Sequence, residues 1–299
     1  CTLDIPDPLW DFVTFWNSLN PWSPTNTIVI PTYPWETYNY DVDCDNDDTR
    51  DLIWQTSDVT CNYTTPWKYT IRIRGEFPRI YFNNWWDKDK LITIEQRWDW
   101  VWTSMENAFY WCSILWSVTS WASDTPNLSS VTSMNSMFKW ASVFNKKIWN
   151  WDTSNITNMY SLFYGATNFN QPLWNWDVSG VTNMWVMFAG ATNFNQPLWN
   201  WDVSNVTNMA SMFRWATSFN QSLSGWDISN TEQMFNMLSG VTLSVLNYDE
   251  TLINWDSLSL QNRVSFNWWN SQYCTGEAAR SWMVLDNLWT ILDGWKNCP

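Results

Sequence analysis

Residues 169–184 read FNQPLWNWDVSGVTNM and residues 194–209 read FNQPLWNWDVSNVTNM, so two stretches 25 residues apart are nearly identical. Several apolar residue types keep this step along the chain, among them Trp151, Trp176, Trp201 and Trp226, and Met134, Met159, Met184, Met209 and Met234. A longer first copy lies near residues 103–115. These tandem copies indicate a repeat protein in which each copy buries its apolar side against its neighbours.

The hydrophobic spacing inside one copy predicts its secondary structure. Met159, Phe163 and Ala166 fall at positions i, i+4 and i+7, which is one face of an α-helix. Trp176 and Val178 alternate as residues of a short strand do. The sequence therefore predicts an α+β fold, a right-handed leucine-rich-repeat-like solenoid whose units each contain a short helix, a turn and a short strand.

The composition excludes several classes of function. The 299 residues include no histidine, which removes imidazole acid–base catalysis and histidine metal sites. The formal net charge of −14 disfavours nucleic acid and anionic membrane surfaces as partners. No apolar run reaches the length of a membrane-spanning helix.

Tryptophan and glycine are present in inverted proportions, with 30 Trp and only 8 Gly. At the residue that ends the predicted helix, the copies carry Trp111, Trp140, Gly165, Gly190, Trp215 and Gly240. Glycine suits a left-handed position there, whereas a residue with a Cβ loses about 1–2 kcal/mol. Trp35 and Trp67 follow proline, where a type II turn also favours glycine, and the pair Trp268–Trp269 lies in a turn-like context.

Two hypotheses account for this pattern. In the first, the gene belongs to an alternative genetic code in which TGA encodes glycine, and the written sequence translates TGA as tryptophan. Under this hypothesis the regularly spaced core tryptophans are genuine. In the second, the surplus tryptophans are genuine and serve as platforms for carbohydrate stacking.

Residues 27–77 lack the 25-residue step and contain short alternating runs rich in Thr, Tyr, Val and Ile. This pattern is typical of a small antiparallel β-sandwich. Cys44 and Cys61 each lie in a predicted strand, which favours a disulfide between them. Cys274 and Cys298 flank the last predicted structured stretch, and we expect them to pair and close a C-terminal cap that includes a helix near residues 277–285.

Two sets of aspartates are candidate cation ligands. Asp43, Asp45 and Asp47 fall at alternate positions, as at the start of an oxygen-donor calcium loop, but the later Gly and closing Glu of an EF-hand are missing. The segment is therefore either a calcium loop or a solvated acidic hairpin. The repeats carry Asp152, Asp177, Asp202 and Asp227, which form either a calcium ladder or turns that hydrogen-bond their own backbone.

The two quoted stretches resemble the BspA-like leucine-rich-repeat surface proteins of bacteria. TSMENAFYWCSIL (103–115) is similar to them if Trp111 is read as glycine, and so is VSFNWWNSQYCTGEAAR (264–280). The segment TTPWKYTIRIRGEFPRIYFN (64–83) resembles the PKD-like, immunoglobulin-type domain that often precedes such repeats. The resemblance implies surface-exposed or secreted proteins that act in adhesion or binding, without a common catalytic site.

We divide the chain into an N-terminal segment (1–26), a PKD-like β-sandwich (27–77), a repeat array with its N-terminal cap (78–243) and a C-terminal cap (244–299). We expect a non-enzymatic cell-surface or secreted protein that binds a protein or glycan of a host or neighbouring cell, with no cofactor other than calcium at the aspartate loop. The alternatives are a calcium-dependent carbohydrate-binding module and a two-carboxylate glycoside hydrolase. Six cysteines favour an extracytoplasmic compartment, and Cys1 is either a lipid-attachment residue or the start of a fragment.

Overall fold

The computed structural model describes residues 11–19, 24–84, 86–94, 101–116, 125–267 and 270–298. Its strands are β1 (Phe12–Asn17), β2 (Thr27–Ile30), β3 (Asn39–Asp43), β4 (Leu52–Gln55), β5 (Val59–Asn62), β6 (Lys68–Glu76), β7 (Leu91–Ile94), β8 (Ser265–Asn267) and β9 (Thr290–Leu292). The α-helices of these described ranges are α1 (Val245–Asp256) and α2 (Glu277–Leu285), and a 3-10 helix spans Trp86–Asp89.

The N-terminal part of the chain, from β1 to β7, is antiparallel β-structure, and we call the described residues between 11 and 94 the β-domain. One sheet has the strand order β4-β3-β6-β1-β7, and β2 pairs with β5 in a second, two-stranded sheet. In β6, Ile71 and Ile73 are buried and alternate with more exposed residues, as expected for a strand with one face on the core. Gly75 lies opposite Tyr40 at a φ of 102°, where a Cβ would approach the Asn39 carbonyl oxygen to 2.6 Å. The domain boundaries drawn from the sequence stay a prediction.

Residues 103–243, which we call the repeat region, consist of turns in their described part. Successive copies are joined by single parallel bridges, from Ser133 to Asn158, then to Asn183, Asn208 and Gln233. The phenylalanines stack from copy to copy: the ring centroid of Phe163 lies 5.7 Å from that of Phe138 and 5.5 Å from that of Phe188. The regularly spaced tryptophans Trp151, Trp176, Trp201 and Trp226 are buried, as the sequence predicts.

The prediction of a leucine-rich-repeat solenoid built from helix–turn–strand units is wrong, and the leucine-rich-repeat assignment fails with it. The regular secondary structure is mostly antiparallel β-sheet, and the two α-helices both lie after residue 244. Ser161, between Met159 and Phe163, has a φ of 54°, which an α-helix does not permit. The Phe163 N–H donates to the Met187 carbonyl of the next copy (2.8 Å) and not to the carbonyl four residues earlier. The stretch from Trp176 to Val178 likewise forms no strand.

The C-terminal part packs α1 against α2 and pairs β8 with β9 in parallel. Ser244 caps α1 by accepting a hydrogen bond from the Asn247 N–H (3.3 Å). The Asp249 carboxylate of α1 accepts from the backbone N–H groups of Cys274 (2.9 Å) and Thr275 (2.8 Å), which fixes the segment before α2. The helix expected near residues 277–285 is present as α2.

Candidate functional site

Each copy in the repeat region has two residues with left-handed backbone. The first left-handed position has φ between 51° and 56° and holds Asn107, Ser136, Ser161, Val186, Ser211 and Asn236. The second, four residues later, has φ between 61° and 79° and holds Trp111, Trp140, Gly165, Gly190, Trp215 and Gly240. The left-handed residues turn alternate N–H groups toward the next copy, so that residues 159, 161, 163 and 165 donate to the carbonyls of residues 183, 185, 187 and 189. This ladder holds the copies together.

Trp140 and Trp215, at the second left-handed position, lie over the equivalent glycine of the next copy, whereas Trp111 lies against Trp140. A Cβ added to Gly165 would be 2.3 Å from the ring of Trp140, and one added to Gly240 would be 2.6 Å from the ring of Trp215. The backbone at Trp111, Trp140 and Trp215 is thus the one that glycine adopts in the other three copies. Non-glycine residues fill every first left-handed position, so this backbone tolerates a Cβ at a cost.

The tryptophans outside the repeat region do not share one backbone conformation. Trp35 and Trp67 are exposed but do not have positive φ, so the expectation of a left-handed turn residue at these two sites is wrong. Trp54 has a φ of 60° and is also exposed. Trp268 and Trp269 lie outside the described residues, as does Cys1.

The repeat aspartates form a regular edge of the repeat region, which we call the aspartate edge (Asp152, Asp177, Asp202 and Asp227). Each accepts a hydrogen bond from the backbone N–H of the serine two residues later, at 2.9–3.1 Å. The hydroxyl of that serine donates to the same oxygen in three of the four copies. Hydrogen bonds from the serine hydroxyl and then from the serine N–H lower the pKa of Asp152 and of Asp202. The edge is therefore a row of turns that bond their own backbone.

A second row of side chains differs from copy to copy. It consists of the residues just before the second left-handed position, which we call the variable column: Tyr110, Lys139, Tyr164, Ala189, Arg214 and Ser239. Four of these side chains carry an aromatic ring or a positive charge, and those four are partly exposed. The residue before each member is buried and large, namely Phe109, Phe138, Phe163, Phe188, Phe213 and Leu238. The same backbone thus presents different chemistry at each step.

The acidic loop between β3 and β4 brings three carboxylates together, namely those of Asp43, Asp45 and Asp51, with ligand atoms within 4.8 Å of one another. Asp43 is buried and accepts hydrogen bonds from the N–H groups of Asn46 (2.7 Å) and Asp48 (3.1 Å). Burial first, and then repulsion from the neighbouring aspartates, raises the pKa of Asp45. Asp47 lies outside this group and accepts from Thr49.

Sequence reasoning missed Asp51 in this loop. Counted from Asp43 as the first position, Asp51 is the ninth, which is a ligand position in EF-hand loops. The count alone could have identified it, because Asp43, Asp45 and Asp47 occupy positions one, three and five of the same scheme. Asp51 also accepts a hydrogen bond from the Cys44 N–H (2.7 Å), which ties the end of the loop to its beginning.

The described cysteines form two disulfides and one free thiol. Cys44, next to the acidic loop, forms a disulfide with Cys61, and Cys274 forms one with Cys298. Cys112 is a buried free thiol in the core of the repeat region, and burial raises its pKa well above the usual value. The thiol is therefore protonated at neutral pH.

The fold and these rows of side chains define a tandem-repeat protein, in which the repeat region follows an antiparallel β-domain along the chain. The family described as "Mycoplasma protein of unknown function, DUF285" matches residues 103–205 and 174–271, which together span more than half of the chain. The chain belongs to this family, whose description assigns no activity. No curated protein and no solved structure matches the chain.

Among the residues that the structure describes, no helix combines the length and the apolar character that a membrane span needs.

Proposed function

We propose that this chain is a non-enzymatic protein of the bacterial cell surface, or a secreted one, that binds a protein or glycan of another cell. The observation that carries this proposal is the variable column: equivalent turns with buried apolar neighbours present Tyr, Lys, Tyr, Ala, Arg and Ser at equivalent places. A catalytic site needs one fixed set of groups, whereas a repeated surface with changing side chains suits recognition.

Location outside the cytoplasm is supported by the two disulfides, because reducing compartments disfavour them. We further propose that the chain shares the surface location and the binding role of BspA-like surface proteins, but not their repeat fold.

The test is attachment of beads coated with the purified chain to epithelial cells and to bacterial cells, with albumin-coated beads as the control. We expect attachment above the control that soluble chain inhibits in a saturable manner. Attachment to both cell types equal to that of albumin beads would overturn the proposal.

The carboxylates of Asp43, Asp45 and Asp51 favour a second candidate function, in which calcium binding stabilises the β-domain. A ligand present at 100 times its dissociation constant stabilises the folded state by about 2.7 kcal/mol. Thermal melting with calcium and with chelator would measure this. The variant D45N should abolish the calcium effect, whereas D47N, which changes an aspartate outside the group, should retain it. Equal melting of the unchanged chain under both conditions would contradict calcium binding.

A further inference from the structure

Lys139 lies between two aromatic rings of the variable column. Its Nζ is 5.1 Å from the ring centroid of Tyr110 and 5.3 Å from that of Tyr164, one copy to either side. The negative faces of the rings hold the ammonium by cation–π attraction. All three side chains are partly exposed, so a ligand can reach the charge and the rings together.

Arg214 is the second cation of the variable column. Its guanidinium lies 3.9 Å from the ring centroid of Trp215, and its Nε is buried without a hydrogen-bond partner. Because this Nε is enclosed by the protein, a ligand can reach Arg214 only through the exposed part of its side chain.

These two cations differ from most of the arginines. Arg50, Arg72, Arg74, Arg79 and Arg280 each form an ion pair with a carboxylate. Among the described residues, Lys139 and Arg214 form none, and the same holds for Lys68, Lys146, Lys147 and Arg263. They are separated by three copies, which at the spacing of paired strands is about 14 Å. The variable column therefore carries two uncompensated positive charges in a protein whose net charge is −14.

The backbone of the variable column is not available to a peptide. The N–H groups of Lys139, Tyr164 and Arg214 donate to Ser136, Ser161 and Ser211 of the same turn, at 3.1–3.3 Å. An extended peptide that adds to a sheet needs free backbone groups at a strand edge. The column offers ring faces and cationic donors instead, which suit the C–H faces and the carboxylates of sugars.

We propose that the variable column binds a glycan in which carboxylate-bearing sugars alternate with neutral ones. This deepens the proposed function and rests on it. Tyr110 and Tyr164 stack on sugar rings, and Lys139 and Arg214 pair with carboxylates. A densely charged polyanion such as heparin is disfavoured because its charge meets the field of the whole acidic protein. At physiological salt the screening length is about 8 Å, so a glycan with widely spaced carboxylates responds mainly to the nearby cations.

The test uses a hyaluronan hexasaccharide, its carboxyl-reduced form and heparin, with binding to the full chain measured by calorimetry at physiological salt. We expect the hexasaccharide to bind, and the reduced form and heparin to bind at least about tenfold more weakly. The double variant K139Q/R214Q should lose about tenfold in affinity for the hexasaccharide. K146Q/K147Q removes the same charge from a neighbouring turn outside the column and should bind as the unchanged chain does.

A ring substitution tests the aromatic part separately. Y164L removes a ring of the column and should weaken binding several-fold, whereas Y160L, which removes a ring that contacts Trp185 outside the column, should not. Circular dichroism of each variant establishes that it is folded.

The results separate this inference from the proposed function. Equal loss of affinity in K139Q/R214Q and K146Q/K147Q would overturn the assignment to the column. Tighter binding of heparin than of the hexasaccharide, or no binding of the hexasaccharide, would overturn the ligand class. Either result combined with bead attachment to cells leaves the surface-binding function intact, whereas absence of attachment removes the function itself.

Discussion

The β-domain and the repeat region bury their polar groups in different ways. In the β-domain, Asp11 is buried and pairs with Arg74 at 2.7 Å, and the buried Lys90 pairs with Asp87 at 2.9 Å. In the repeat region the buried polar groups are neutral: the indole N–H of Trp176 donates to the Ile148 carbonyl (2.9 Å), and Trp201 donates to Leu173 (3.1 Å).

The β-domain can bury charges and the repeat region cannot, because a contact occurs once in the β-domain but recurs in every copy of the repeat region. An ion pair of the β-domain joins two residues that meet once, so its charges can be matched individually. A side chain of the repeat region meets its own equivalent in the next copy, so a charge at such a position would face a like charge. Neutral amides, hydroxyls and stacked rings are compatible with that symmetry. Charges remain at the surface, in the aspartate edge and in the variable column.

The largest expected effect is loss of a stacked ring in the repeat core. Phe188 lies 5.5 Å from Phe163 and 5.6 Å from Phe213, and it is fully buried. Phe188→Ala should lower the free energy of unfolding by about 3–5 kcal/mol, measured by urea denaturation, because it leaves a cavity inside a close-packed stack. The control Phe235→Ala, at a ring that is 41% exposed, should cost less than about 1 kcal/mol. Equal costs would show that the stack does not support the copies.

The next effect concerns the β-domain. The disulfide between Cys44 and Cys61 has a sequence separation of 17, and a loop of this size contributes about 3 kcal/mol by restricting the unfolded chain. The double variant C44A/C61A should lower stability by this amount. Hydrogen exchange should accelerate in β3 and β5 more than in residues 150–230. Uniform acceleration would show that the two regions unfold as one unit.

Smaller effects are expected at the second left-handed position. Trp215 is half-exposed and has a φ of 61°, so W215G should be more stable than W215A by about 1 kcal/mol, since only the alanine keeps a Cβ in left-handed backbone. At Trp199, which is 67% exposed without positive φ, glycine should offer no such gain. Urea denaturation of W215G, W215A, W199G and W199A measures both differences. Equal stability of W215G and W215A would mean that the position does not favour glycine.

The hypothesis of an alternative genetic code makes a matching prediction about the gene. The codons for Trp111, Trp140 and Trp215 should be TGA, and those for the buried Trp176 and Trp201 should be TGG. TGG codons at the first three positions would eliminate the hypothesis and support genuine tryptophans.

The smallest expected effect is a pH dependence at the aspartate edge. The hydrogen bonds from Ser204 lower the pKa of Asp202 in the folded state below its value in the unfolded chain. The stabilisation is therefore present at pH values above the unfolded pKa of about 4 and is lost as the pH falls through the lower, folded value. Urea midpoints should show a larger gap between the unchanged chain and D202N at pH 6 than at pH 3. The same gap at both pH values would contradict this role.

Parts of the candidate site were accessible from the sequence and parts were not. The spacing of 25 placed the buried tryptophans and the aspartate edge, because equivalent residues of stacked copies have equivalent surroundings. The alternation of Asp43 and Asp45 located the acidic loop, although Asp47 accepts from Thr49 outside the group and Asp51 is its third member. The pairing of Lys139 with Tyr110 joins copies of unequal length, so no fixed spacing indicated it.

By itself, the sequence determined which residues are buried and how long each copy is, because burial follows from apolar side chains that repeat. The tertiary structure decided the conformation of each copy. Met159, Phe163 and Ala166 have helical spacing, but a turn with two left-handed residues buries the same three side chains. The preference for the turn comes from hydrogen bonds to carbonyls 24 residues away, such as that from Phe163 to Met187, and such partners exist only once the copies are stacked.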